Sequence, residues 1–116
     1  MGKIERFEDI DAWKKARELT KAIYKITVQG KIATDFSLRD QLRRASISIM
    51  ANISEGFERG GNKEFRQFLA QAKGSVGEVK SLLFVALDAD SLSSEQFNQI
   101  MSLADDASRL LAGFLR

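Results

Sequence analysis

Arginine carries most of the chemistry open to this chain, and Arg43-Arg44 is its most concentrated pair. A guanidinium stays charged at any physiological pH, and its planar fork of donors fits phosphate oxygens. Arg39, Arg59, Lys63 and Arg66 extend the candidate set on the second and third helices, into a region continuous only if neighbouring subunits join their surfaces. The first helix adds Lys14, Lys15, Arg17, Lys21 and Lys25. Binding a polyanion takes several such cations, because each neutralised phosphate releases counterions. The competing reading is structural. Net charge is only +2, and Glu55 precedes Arg59 by the four residues that favour an intrahelical ion pair.

Other chemistries find little here. The chain has no His and no Cys, which removes the commonest general base, the commonest metal ligand and any thiolate site or disulfide. Glu55, Glu78 and Asn52 resemble a carboxylate cluster on paper, but di-iron helical sites require Glu-x-x-His pairs as well. Asn52 borders an apolar stripe and reads as a register or subunit-contact residue, and Ser46, Ser48 and Ser75 have no base to activate them. The expectation is a protein that is not an enzyme, with no cofactor, metal or small-molecule substrate.

Four helices must position these residues. The first runs from Asp9 or Asp11 to about Thr27, with Trp13, Ala16, Thr20, Ile23 and Thr27 on one side and Leu19, Tyr24 and Ile26 widening it. A connection follows, in which Ile32 and Phe36 should tuck against the core. The second helix is capped by Ser37 and ends at Gly60-Gly61; Asn62 caps the third. Residues 65, 72, 79 and 86 of the third helix, with 68, 75 and 82 and with 69, 76 and 83, give the three-in-seven pattern of a helix packed among others. Ser93-Ser94-Glu95-Gln96 is a capping box, and Phe97, Ile100, Ala104, Ala107, Leu111 and Phe114 give the fourth helix its stripe. With no Pro to break helices and short turns at 60–61 and 90–92, the fold class is all-α: one domain over residues 1–116, an up-down-up-down antiparallel four-helix bundle. Gly74 and Gly77 sit inside the third helix, where glycine costs about 1 kcal/mol against alanine. They read either as close-approach positions or as tolerated surface glycines.

The second helix is apolar on more than one side. Leu38, Leu42, Ala45, Ile49, Ile53 and Gly56 form one stripe, and Ile47, Met50 and Phe57 a second patch a quarter to a third of a turn away. Either the connection or a neighbouring helix covers that patch, or it is an oligomer interface. Charge is unevenly spread: residues 1–80 hold 16 Lys/Arg and 11 Asp/Glu, residues 81–116 hold 2 and 5. Opposite-sign faces of this kind suit either a mixed solvated surface or a contact between copies. No stretch has the length of a membrane span, and the start lacks a secretory apolar core, with Met1-Gly2 fitting a myristoylation signal only loosely. A cytoplasmic location follows as the expectation.

Residues 41–56, QLRRASISIMANISEG, followed by Phe65, Phe68, Leu69, Ala72, Gly74, Ser75 and Glu78, resemble the proteins encoded by intervening sequences of bacterial 23S ribosomal RNA genes. Phe7, Trp13, Ala16, Leu19 and Tyr24 are similar to that family's first helix, and the fourth helix agrees in period alone. The resemblance implies a four-helix bundle assembling as a ring, a homopentamer in known relatives. It also connects the chain to accessory proteins of diversity-generating retroelements, which bind nucleic acid through basic surfaces. The implied function is that of a non-enzymatic homo-oligomer acting as an RNA- or DNA-binding accessory or scaffold. The alternative is a protein-interaction scaffold whose arginines pair only between subunits.

Overall fold

The computed structural model describes residues 3–116, and these form four long helices with no strand among them: α1 Asp11–Ile26, α2 Phe36–Glu58, α3 Asn62–Asp88 and α4 Ser94–Leu115. Short 3-10 turns at Phe7–Asp9 and Lys31–Thr34 precede α1 and α2. Met1 and Gly2, with the myristoylation reading, lie outside the described residues. Freedom from proline permits the length of α3, whose 27 residues span about 40 Å.

The helix ends follow local chemistry, with three departures from expectation. Asp35, not Ser37, caps α2 by accepting from the Leu38 N–H at 3.2 Å; the helix starts one residue before Ser37, so Ser37 is already inside it. Asn62 is the first residue of α3 rather than its cap, and Gly61 at the cap position offers no side chain. Neither Asp9 nor Asp11 caps α1: Ile10 occupies the cap position, and Asp11 opens the helix where a carboxylate suits the dipole. The box at α4 is formed as expected. Ser93 Oγ accepts from the Gln96 N–H at 3.1 Å, and Gln96 Oε1 accepts from the Ser93 N–H at 3.0 Å.

The α2–α3 reversal uses Gly60 at φ +82°, a left-handed conformation natural to glycine. α3 ends in the same way on Asp90, at φ +56°. Ser91 N–H reaches back to Ala86 O at 2.8 Å and Asp90 N–H to Leu87 O at 3.1 Å, which together are a Schellman cap.

α2 lies along α3, α3 along α4, and α1 between α2 and α4. The second-helix stripe, from Leu38 through Leu42, Ala45, Ile49 and Ile53 to Gly56, is buried throughout, as its period required. It meets Leu69, Ala72, Val76, Val79, Leu83 and Ala86 of α3 and the apolar stripe of α4 in one core. Between α2 and α3, Arg44 pairs with Glu78 at 2.5 Å, Ser48 Oγ with Ser75 Oγ at 3.1 Å, and Gly56 sits against Phe65 and Phe68. Asn52 adds to this polar seam by donating to Ser48 O at 2.9 Å. Its position beside the stripe is therefore used for hydrogen bonding within the chain.

Gly56 is a glycine that helix packing requires. A Cβ there would stand 2.5 Å from the Phe68 Cβ, whereas Gly74 and Gly77 face open space, with nothing within 4 Å of the same atom. Of the two readings of Gly74 and Gly77, close approach does not occur within this chain.

Candidate nucleic-acid interface

α1 sets out its cations by helical spacing. Lys14, Arg17, Lys21 and Lys25 recur at three and four residues and are all exposed, on the side away from buried Ala12, Ala16, Leu19 and Ile23. The helix carries five Lys/Arg and two acidic residues. Lys14 leans toward Asp11 at 3.9 Å, and Lys15 donates to Glu18 at 2.8 Å, a hydrogen bond that raises the lysine's pKa above its ordinary value. Arg17, Lys21 and Lys25 make no ion pair among the described residues.

Arg43, on the flank of α2, faces this track. Its Nε donates to Thr27 Oγ1 at 2.9 Å, and its guanidinium carbon lies 4.6 Å from the centroid of the Tyr24 ring. Thr27 is buried and returns its own proton to Ile23 O at 2.7 Å, so the arginine is docked on a fixed acceptor. Among the described residues no carboxylate pairs with Arg43. One helical turn earlier, Arg39 lies 4.8 Å from the Phe36 centroid, donates to Ala33 O at 3.2 Å and pairs with Asp40 at 2.9 Å. A third arginine, Arg17, stands 5.8 Å from the Trp13 ring.

The six arginines and lysines singled out in sequence do not converge. Arg39, Arg43 and Arg44 lie in the first half of α2, while Arg59 follows its far end, about 20–30 Å along at 1.5 Å per residue, and Lys63 and Arg66 lie in the first turns of α3 beyond the reversal. Besides Arg43, four of them are engaged inside the chain. Arg44 bridges to Glu78, and Arg59 holds Glu55 at 3.1 Å and Glu64 at 3.6 Å. Arg66 donates to the carbonyls of Phe114 and Leu115 at 2.9 and 2.7 Å, closing the end of α4. Arg39 is the fourth. Lys63 is exposed and makes no ion pair among the described residues.

The second apolar patch is divided. Met50 and Phe57 are half-buried and pack against the core, Phe57 standing edge-on to Phe65 with centroids 6.0 Å apart. Ile47 remains 44% exposed. Ile32 of the connection is buried in the core as expected, but Phe36 does not join it. Phe36 is 62% exposed, because the Asp35 cap places it in the first turn of α2, over Arg39 instead of the core.

Tyr24 was expected on the apolar face of α1, and it stands at that face's edge, 37% exposed under the Arg43 guanidinium. The sequence signal for Phe36 was Arg39 three residues later; Tyr24 had none, because Arg43 reaches it only through the packing of α1 on α2.

Among the described residues no three acidic side chains gather as a metal site, and Glu55 and Glu78 are held apart by their separate arginines. A groove of about 550 Å³ between α1 and α4 has Ala22, Ile26, Ile100 and Leu103 as its floor and only lysine, glutamine and one glutamate at its rim. No helix among the described residues is long and apolar enough to cross a membrane.

The chain is similar to a crystal structure of a protein of unknown function from the S23 ribosomal protein family of Bacteroides thetaiotaomicron, with a TM-score of 0.82 at 23% identity over 90% of this chain and 98% of that one. That likeness is one of fold. No curated protein matches the chain. The family model of the 23S rRNA-intervening sequence proteins matches residues 8–113, nearly the whole of the four helices and both 3-10 turns, and the chain belongs to that family.

Proposed function

We propose that this protein is a non-enzymatic RNA-binding accessory or scaffold that works in the cytoplasm as a homo-oligomeric ring, with a pentamer favoured. Each subunit is an up-down-up-down antiparallel bundle. The pairings of Arg44 with Glu78, of Arg43 with Thr27 and of Lys80 with Asp105 at 2.7 Å support that topology. The observation that carries the RNA reading is the uncompensated positive surface of Arg17, Lys21, Lys25 and Arg43, at which no carboxylate is paired among the described residues. Such a surface binds phosphate by counterion release, with little reading of bases. A ring repeats it about an axis and multiplies a weak contact. Exposed Ile47, the open glycine face of α3 and the acidic α4 are available for the contact between copies.

Fluorescence anisotropy with labelled RNA at several salt concentrations tests the reading. Affinity should fall steeply as salt rises, and absence of salt-dependent binding would overturn it. A monomeric mass in solution would overturn the ring. A second reading, a protein-interaction scaffold that binds no nucleic acid, is favoured by the engagement of Arg39, Arg44, Arg59 and Arg66 within the chain. It predicts no RNA binding at any salt concentration.

A further inference from the structure

The α1–α2 surface combines charge with partly exposed aromatic rings, and a phosphate-binding surface alone has no use for the latter. Phe36 and Tyr24 are 62% and 37% exposed, and each lies against an arginine, Arg39 at 4.8 Å and Arg43 at 4.6 Å. Arg39 and Arg43 are one helical turn apart, so the two aromatic–arginine pairs adjoin. Lys21 stands three residues before Tyr24 on α1 and Lys25 one residue after it, at the edge of the helix that also rims the α1–α4 groove.

An exposed phenylalanine in the first turn of a helix gains little from the core and leaves apolar area in water. Duplex RNA offers no base faces to such a ring, because its bases are stacked and its deep groove is closed to side chains. Unpaired bases do offer faces. Aromatic rings interleaved with cations are the arrangement by which proteins hold single strands, since every base has a π-face and phosphate follows it at short intervals.

We propose that this surface binds single-stranded RNA: unpaired bases stack on Tyr24 and Phe36, and the intervening phosphates lie on Lys21, Lys25 and Arg43. The inference rests on the RNA-binding reading above and narrows it from a polyanion to a strand with free bases. Arg39 and Arg43 act as positioning residues for the rings as well as cations. Arg43 is itself held by buried Thr27, so the middle of the surface is preorganised.

The test compares oligouridine with an RNA duplex of equal length, at one fixed salt concentration, against the whole chain and three variants. Tyr24→Leu and Phe36→Leu remove a ring face from exposed positions while keeping an apolar side chain, and Tyr24→Phe keeps the face and removes only the hydroxyl. Each leucine variant should lose about tenfold in affinity for the single strand, the order expected for one stacked base. Duplex binding should stay unchanged, and Tyr24→Phe should bind like wild type. Thermal melting of each variant verifies that the loss is not one of folding. Equal binding of wild type to duplex and single strand, or leucine variants that bind oligouridine like wild type, would overturn this proposal and leave RNA binding standing. Tighter binding of a matched single-stranded DNA would overturn the assignment to RNA. Failure of wild type to bind either RNA would overturn both readings together.

Discussion

The Arg43 guanidinium lies over the Tyr24 ring, 4.6 Å from its centroid, and is pinned there by a 2.9 Å hydrogen bond from Nε to Thr27 Oγ1. One side chain thus joins α1 to α2, orients an aromatic face and leaves its charge without a carboxylate partner. Arg43→Lys keeps the charge but loses the planar stack and the fixed donor. Arg43→Lys is expected to lower stability by about 1 kcal/mol, the usual worth of a hydrogen bond together with a partly exposed cation–π contact. Urea unfolding checks this; a midpoint unchanged from wild type would mean that the contact contributes nothing.

Gly56 and Gly74 make opposite predictions from the same substitution. A Cβ at Gly56 meets the Phe68 Cβ at 2.5 Å, an atom tied directly to the backbone of α3, so the helices must move apart. Gly56→Ala should destabilise by about 1–3 kcal/mol, the range for overpacking, despite alanine's better helix propensity. Gly74→Ala meets nothing within 4 Å and should stabilise an isolated subunit by up to about 1 kcal/mol. The two melting temperatures, measured side by side, decide it.

Ser93 and Gln96 satisfy two otherwise unpaired N–H groups at the start of α4. Ser93→Ala removes one of these bonds and disorganises the other. The expected cost is about 1 kcal/mol, visible as a lower denaturation midpoint. Ser93→Asp keeps an acceptor at the cap and should hold the wild-type midpoint.

A small acid dependence is expected at the N-terminal turn. The Arg6 guanidinium hydrogen-bonds Glu8, and that bond holds the carboxyl below the usual glutamate range. Because the folded pKa is the lower one, the contribution is present above the unfolded value, about 4.3, and is lost as pH falls through the folded value. The melting difference between wild type and Glu8→Gln should be constant near neutrality and vanish in acid. Both groups are exposed, so the difference stays small at every pH.

Much of the fold is legible in residue spacing. The buried stripe from Leu38 to Gly56 follows from period alone, as does the α4 stripe, because burial of one helical face is what those periods encode. The α4 cap is legible because Ser93 and Gln96 stand at the required separation with no nearby rival. At the start of α2, Asp35 and Ser37 are rival caps, and the carboxylate two residues earlier takes the place by accepting from the Leu38 N–H. That shift by two residues sends Phe36 outward, a result hydrophobicity cannot reveal, since an apolar side chain is not obliged to be buried. The candidate interface was less legible. Arg44 and Arg66 look free in sequence, and their partners, Glu78 and the α4 carbonyls, come from other helices, whereas the Glu55 partner of Arg59 is legible from spacing. Lys21, Lys25 and Arg43 look no different from them, and only the packing of α1 on α2 separates the two groups.

The central claim is that Lys21, Lys25 and Arg43 bind RNA phosphate. It is tested most directly by the slope of log affinity against log salt for wild type and for the triple variant Lys21→Ala, Lys25→Ala, Arg43→Ala. Each lost contact to a single strand should reduce the slope by about 0.7, so the three together should reduce it by roughly 2. A triple variant with the wild-type slope and affinity would contradict the account.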